Sequence, residues 1–153
     1  MANTYTQIHI QSVFSPRFRA SLIQPLWKDS LHKYITGIIQ HHGHKVLAIN
    51  SMPDHMHIFF GMRPNESLSE LMQIVKKDSS KWINCQGFCG HRFQWQEGFG
   101  GFSYSKSDVY KVINYIHQQE EHHRKVTFLD EYRKFLELFE IDYNEVYIFK
   151  IPE

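Results

Sequence analysis

Two apolar segments between residues 45 and 62 constrain the fold most. "KVLAINSM" and "HMHIFFGM" are rich in β-branched, aromatic and other apolar residues, and only Pro53 and Asp54 separate them. Such residues favour strands, and a short polar connection favours antiparallel pairing. The sequence therefore predicts a β-hairpin in the middle of the chain, and the neighbouring elements must cover its apolar face.

The rest of the chain predicts one more strand before this β-hairpin, a strand or a pair of strands after it, and four helices. Polar and apolar side chains alternate over residues 5–14, and an aromatic, glycine-interrupted stretch occupies 92–105. Apolar residues recur at helical period over 25–42, 67–83, 107–123 and about 128–140. Ser67 with Glu70 has capping-box spacing, and Ser107 is the predicted N-cap of the third helix. The order β-α-β-β-α-β-α-α predicts an α+β domain spanning 1–153, with a mostly antiparallel sheet flanked by helices. The final segment, 144–151, is predicted to form a short strand or to dock on a partner.

Composition restricts the function classes without choosing one. The chain has 153 residues, 42% of them apolar, and a net charge of +1. This balance does not indicate nucleic-acid binding by charge alone, so such a function must rest on local patches. No apolar run approaches the roughly 20 residues that span a bilayer, and the first residues do not resemble a signal peptide. With two cysteines, a cytoplasmic protein with free thiols is predicted.

His55 and His57 are candidate metal ligands. In a strand, residues two apart point to the same face, so both imidazoles can converge on one ion while Met56, Ile58 and Phe60 face the core. The spacing alone proves little, because 11 histidines in 153 residues give about one His-x-His pair by chance. A second pair, His42 and His44, flanks the predicted helix cap Gly43 and is predicted to be solvated.

A third ligand can come from the helix predicted at 107–123. Its buried stripe is formed by Val109, Val112, Ile113 and Ile116. Tyr115 and Gln119 lie one turn apart on the flank of this stripe, so the phenol and the amide oxygen can reach the same point. The alternative is that Tyr115 edges the core and Gln119 is solvated.

The combination of "HMHIFF" and "YIHQQ" resembles the HUH-type single-tyrosine transposases of bacterial insertion sequences, the IS200-like family. His55, Met56 and His57 match its histidine–hydrophobic–histidine motif, and Tyr115 with Gln119 matches its Tyr-x-x-x-Gln motif. The resemblance implies a ferredoxin-like fold and a homodimer that cuts and rejoins single-stranded DNA. In many relatives the tyrosine helix of one subunit completes the active site of the other. Family members also recognise DNA hairpins near the ends of the element.

The resemblance also implies roles for single residues. His55, His57 and Gln119 would hold a divalent ion, Mg²⁺ or Mn²⁺, although histidines also admit Zn²⁺. Tyr115 would attack the DNA and form a 5′-phosphotyrosine with a free 3′-OH. Basic side chains are candidate contacts to DNA phosphates, or merely solvate the surface: Arg17, Arg19, Lys76, Lys77, Lys81, Lys106, Lys111, Arg124 and Lys125. Phe99, Phe102 and Tyr104 are candidates for stacking on unpaired bases, or pack within the fold.

Three other interpretations remain open. The chain could be a domesticated relative that binds DNA hairpins or single-stranded nucleic acid without cutting, so that the site residues are dispensable. His55 and His57 could belong to a metal-dependent phosphodiesterase, which would release free ends and need no tyrosine. Finally, "CQGFCGH" places Cys85, Cys89 and His91 close together, and His122 or His123 could complete a structural zinc site.

Overall fold

A four-stranded antiparallel sheet forms the centre of the molecule in the computed structural model, which describes residues 3–18 and 21–153. The strands follow the spatial order β2-β3-β1-β4. Strands β2 and β3 form the predicted β-hairpin, with Met52 paired to His55 across the turn. Strand β1 pairs antiparallel with both β3 and β4. The strands are β1 His9–Phe14, β2 Lys45–Met52, β3 His55–Gly61 and β4 Gly100–Tyr104.

Helices connect and cover these strands. They are α1 Pro25–His41, α2 Leu68–Gln86, α3 Val109–His117, α4 Gln119–His122 and α5 Phe128–Leu138, with a 3₁₀ turn at Lys106–Asp108. The first six elements run β-α-β-β-α-β, which confirms the predicted α+β, ferredoxin-like fold. Within the described residues, no helix is both long and apolar enough to cross a membrane.

The two faces of β3 are divided as its period-two pattern predicts. Met56, Ile58 and Phe60 belong to the main core, which also contains the apolar residues of α1 and α2. Phe59 points the other way and packs in a smaller cluster with Ala48, Val112 and Ile116. Helix α3 therefore lies on the face of the sheet that carries His55 and His57.

The predicted helix at 107–123 is broken. Ser107 lies inside the 3₁₀ turn, so α3 begins at Val109, and its N-cap is Asp108 rather than Ser107. The chain leaves the helix at Gln118, with φ −97° and ψ 19°, before α4 begins. The prediction of one continuous helix over 107–123 is therefore wrong at Gln118.

The last segment forms no strand. Phe149 is buried and packs against Phe128 and Tyr132, with ring centroids 5.9 and 5.0 Å apart. The segment thus docks on α5 of its own chain. Of the two predicted alternatives, the strand is wrong, and the docking surface belongs to the same molecule.

A half-buried histidine of α1, His32, should make the free energy of unfolding depend on pH. His32 of α1 is hydrogen-bonded to Ser51 at 2.8 Å, and burial, with Lys28 nearby, lowers the pKa of His32 from 6.5 to about 4. Between these two pH values the unfolded chain binds a proton that the folded chain does not. The free energy of unfolding should therefore fall as pH decreases through this window, by about 1–3 kcal/mol from this residue. Urea unfolding of wild type and His32→Gln at pH 7 and pH 4.5 measures the difference, and an equal pH dependence of the two proteins would contradict it.

Candidate active site

His55 and His57 are fully buried at the start of β3, where the strand leaves the tight turn. Their rings lie 5.0 Å apart, centroid to centroid. Both project from the face of the sheet that α3 and α5 cover, since His55 stacks on Phe128 and His57 contacts Tyr115. The sequence expectation that the two imidazoles share one face is correct.

Each of these imidazoles is hydrogen-bonded at its Nδ1 atom. His55 Nδ1 donates to Asp54 Oδ1 at 2.8 Å, and this hydrogen bond lowers the pKa of Asp54 although burial alone would raise it. Tyr104 donates to Gln11 at 2.7 Å, and Gln11 Nε2 donates to His57 Nδ1 at 2.8 Å. Burial lowers the pKa of His57. Asp54 thus fixes the ring of His55 with its proton outward, as around ligating histidines. His57 instead accepts at Nδ1, so its neutral ring carries the proton on Nε2, which donates to Glu131 Oε1 at 3.0 Å. An ion at this Nε2 requires the proton to move to Nδ1 and the Gln11 amide to turn its oxygen towards it.

Tyr115 reaches the histidines from α3, and Gln119 reaches them from α4. Gln119 is fully buried, and its Oε1 lies 3.1 Å from His55 Nε2, so the alternative of a solvated Gln119 is wrong. Tyr115 is half-buried, with its ring centroid 6.0 Å from that of His57. Its hydroxyl donates to Glu131 Oε2 and lies 3.3 Å from His122 Nε2. Burial raises the pKa of Tyr115, and the Glu131 carboxylate raises it further.

Glu131 is a residue of the site that sequence reasoning missed. It lies on α5, is 3% exposed, and its Oε1 is 3.0 Å from His57 Nε2 and 3.6 Å from His55 Nε2. Burial alone would raise the pKa of Glu131, but hydrogen bonds with His123 and His57 outweigh this and lower it. The available signal was its position, because Glu131 follows Phe128 by three and precedes Phe135 by four, on the apolar face of the predicted helix.

His123 is the other residue missed for this site, since the sequence suggested it only as a possible ligand of a zinc site in the cysteine loop. Its Nε2 lies 2.9 Å from Gln119 Oε1 and 3.2 Å from Glu131 Oε1. Its Nδ1 donates to the Val126 carbonyl at 2.6 Å. Burial alone would lower the pKa of His123, but its hydrogen bond with Glu131 and the charge of that carboxylate raise it.

The arrangement of donors and acceptors suits a cation. Because the Nδ1 atoms of His55 and His123 donate outward, the Nε2 of each neutral ring carries a lone pair that faces Gln119 Oε1. Lone pairs directed at one another are stable only with a proton or a metal ion between them. One ligand atom each from His55, His57, His123 and Glu131 lies within 4.8 Å of the others. This mixed nitrogen and oxygen set fits a divalent transition-metal ion.

A cavity of about 420 Å³ opens beside Tyr115. Tyr104, Val112, Phe135 and Leu138 give it an apolar wall, and Lys111 and Lys134 lie on its lining. Asp108 and Glu131 also line it, so the cavity gives access to the hydroxyl of Tyr115 through an apolar opening that carries charges of both signs.

The predicted DNA contacts lie in several places. Arg17, Lys77 and Lys81 line one groove of about 730 Å³ together with Arg92, whereas Lys111 lines the cavity beside Tyr115. Arg124 is paired with Glu121 at 3.2 Å, and Lys106 and Lys125 are exposed outside both concavities. Lys76 binds the carbonyls of Gln96 and Gly98 at 2.7 and 2.6 Å, and burial lowers the pKa of Lys76 to about 8. Arg19 lies outside the described residues.

Two further sequence interpretations do not match the structure. Phe102 is buried and packs on Phe135 and Phe139, so it offers no surface to a base. His44 is buried and paired with Glu66 at 2.7 Å, so the predicted solvated cap is wrong for that residue.

The cysteine loop does not form the zinc site considered above. Cys85 is exposed and Cys89 is half-buried. The potential metal-binding cluster found among residues 3–18 and 21–153 contains neither cysteine, and His123 belongs to it instead.

Comparison with known proteins decides the family. The family model described as "Transposase IS200 like" matches residues 4–119, three quarters of the chain. The chain belongs to this transposase family. It therefore belongs to a class of enzymes that act on DNA, as the two sequence motifs indicate. No match was found among curated proteins.

Solved structures agree on the fold. A candidate transposase from Deinococcus radiodurans R1 is 17% identical over 78% of this chain and 95% of that chain, with a TM-score of 0.59. A REP-associated tyrosine transposase bound to a REP hairpin is 18% identical over 82% of this chain and 74% of that chain, with a TM-score of 0.60. The family match ends at Gln119, so His122, His123 and Glu131 lie beyond it.

Proposed function

We propose that this transposase cleaves and rejoins single-stranded DNA through a covalent 5′-phosphotyrosine on Tyr115. His55, His57 and Gln119 would hold a divalent ion, Mg²⁺ or Mn²⁺. The observation that carries the proposal is the placement of Tyr115 in its own chain's histidine cluster, where its hydroxyl and His57 Nε2 both contact the Glu131 carboxylate. A nucleophile next to a potential ion site is what phosphoryl transfer requires.

The residues support each part of the transfer. Tyr115 Oη would lose its proton and form a bond to phosphorus while the bond from phosphorus to O3′ breaks, and the 3′ oxygen would take up a proton from solvent. The hydroxyl of Tyr115 donates to Glu131 Oε2 and lies 3.3 Å from His122 Nε2, so Glu131 and His122 are the groups positioned to take the phenolic proton. When bound, the ion supplies Lewis-acid activation of the scissile phosphate.

The covalent step conserves the bond for rejoining. A phenolate, with an ordinary pKa near 10, is an adequate leaving group. A DNA 3′-OH can therefore attack the phosphotyrosine, release Tyr115 and reseal the strand. A half-buried Tyr115 with an apolar wall beside it limits the approach of water, which would otherwise hydrolyse the intermediate.

The proposed substrate is single-stranded DNA with a hairpin near the element end. The structural relative that was solved with a REP hairpin supports this, and so does the groove lined by Arg17, Lys77 and Lys81. We also propose a cytoplasmic homodimer, as the family resemblance implies. The contact of Tyr115 with His57 favours cleavage by each subunit's own tyrosine. The docking of the last segment on α5 supports one domain over 1–153.

The groove leads to a quantitative prediction. Lys77→Ala with Lys81→Ala should weaken binding of a DNA hairpin with a single-stranded flank about tenfold, because two exposed charges that neutralise phosphates are lost. The dependence of log K on log salt concentration should become shallower by about 1.5. Fluorescence anisotropy over 50–300 mM NaCl measures both.

A matched control removes two exposed lysines outside the groove, Lys33→Ala with Lys45→Ala. The net charge change is the same, so an equal loss of affinity in the control would mean that general charge, rather than this groove, binds the DNA.

Covalent trapping tests the proposed function. The protein is incubated with Mn²⁺ and single-stranded DNA from the flanks of its own gene, labelled at either the 5′ or the 3′ end, and run on a denaturing gel. We expect a metal-dependent protein adduct that carries only the 3′ label. Cleavage without an adduct would instead support a phosphodiesterase, and firm DNA-hairpin binding without cleavage would support a binding module.

A further inference from the structure

We propose that Glu131 and His123 are metal ligands of this transposase, so that the segment beyond the family match completes the metal centre. The inference rests on the proposed function in one respect, namely that His55, His57 and Gln119 form the first part of the ion site. It adds two residues that neither of the matched motifs contains.

The positions of the ligand atoms support this assignment. Glu131 Oε1 lies 3.0, 3.2 and 3.6 Å from the Nε2 atoms of His57, His123 and His55. One carboxylate oxygen thus faces three imidazole nitrogens, two of them within hydrogen-bond distance. A single ion among them would give each nitrogen and the oxygen a bond of its own.

His123 is oriented so that its Nε2 atom, and not its Nδ1 atom, faces the cluster. Its Nδ1 proton is committed to the Val126 carbonyl at 2.6 Å, and its side chain is only 7% exposed. In the neutral ring, Nε2 therefore presents a lone pair towards Gln119 Oε1 and Glu131 Oε1, both of which are acceptors. His55 is held in the same way by Asp54, so the two histidines are equivalent in this respect.

Charge makes Glu131 the more important of the two. Among the converging side chains of the described residues, His55, His57, His123 and Gln119 are neutral ligands, and Glu131 supplies the negative charge. A dication surrounded only by neutral donors in a buried site would be poorly compensated for its lost hydration. The carboxylate reduces that cost, so it should contribute strongly to affinity.

The assignment has a consequence for the reaction. The second oxygen of Glu131 accepts the hydrogen bond from Tyr115, so one carboxylate connects the ion site with the nucleophile. Helix α5 then positions the tyrosine as well as the ion, which gives this helix a role in the active site of the same chain.

Metal binding in the absence of DNA tests the inference. The full-length protein is titrated with Mn²⁺, with free Mn²⁺ followed by electron paramagnetic resonance, and Co²⁺ loading is followed by visible absorption. Glu131→Gln keeps the shape of the side chain and should raise the Kd for Mn²⁺ at least about tenfold and alter the Co²⁺ spectrum. His123→Gln should do the same. Glu137→Gln, an exposed residue on the same helix, is the control and should change neither.

The outcomes separate this inference from the proposed function. Unchanged Kd values and Co²⁺ spectra in both variants, with binding lost in His57→Asn, would overturn the inference and leave the three-ligand site intact. Weaker binding in both variants would support it even if the wild type formed no covalent adduct with DNA. If Glu131→Gln does not fold, as judged by circular dichroism, Glu131→Asp is used: its shorter side chain withdraws the oxygen, and an unchanged Kd would again overturn the inference.

Discussion

Tyr115→Phe should abolish the covalent adduct and reduce cleavage of single-stranded DNA by about 10³-fold or more, since the substitution removes only the attacking oxygen. The phenyl ring can keep the contacts of Tyr115 with His57 and Phe135. Glu131 loses one hydrogen bond but keeps those with His57 and His123. The free energy of unfolding should therefore change by only about 1 kcal/mol. Denaturing gels of the trapping reaction, together with thermal melts, measure the two effects.

Tyr110→Phe is the matched control for this substitution. Tyr110 lies on the same helix, α3, but is 81% exposed. The variant should form the adduct at the wild-type rate. An adduct that persists in Tyr115→Phe would show that another residue is the nucleophile, and loss of the adduct in both variants would point to damage of α3 rather than of the chemistry.

The parts of the fold that follow from local patterns were predictable. Alternation along 55–60 placed the two histidines and Phe59 on one face, because side chains in a strand alternate by geometry. The capping of α2 was also predictable, since Ser67 accepts the backbone N–H of Glu70 at 3.0 Å. The break at Gln118 was not, because nothing near that position is a helix-breaking residue.

The incomplete prediction of the site has a similar cause. Tyr115 and Gln119 were recognised by a spacing of four residues, and both reach the cluster although the helix between them is interrupted. Glu131 meets His57 across 74 residues of sequence, a contact that only the packing of α5 on the sheet creates. A charged residue on the apolar face of an amphipathic helix is still a usable signal, because such a residue is rarely buried without a partner.

Substituting His57 should have the second largest effect. His57→Asn removes an imidazole whose Nε2 faces the proposed ion, while the shorter amide keeps some polarity for Gln11 and Glu131. Since the ion supplies several kcal/mol of charge stabilisation in such reactions, loss of the ligand should lower the rate of adduct formation by about 10²–10³-fold. Raising the Mn²⁺ concentration should restore part of the rate, because a weakened site is filled by mass action. Initial rates at increasing Mn²⁺ test this.

A buried histidine outside the candidate site provides the control for His57. His44 is also buried and also paired with a carboxylate, that of Glu66, but it contacts no residue of the candidate site. His44→Asn should lower the melting temperature as His57→Asn does, because each substitution removes a buried imidazole and its hydrogen bond with a carboxylate. The rate per folded molecule should fall in His57→Asn alone, and only that rate should recover with Mn²⁺. Equal rate losses in the two variants, without recovery, would mean that His57 stabilises the fold and does not bind the ion.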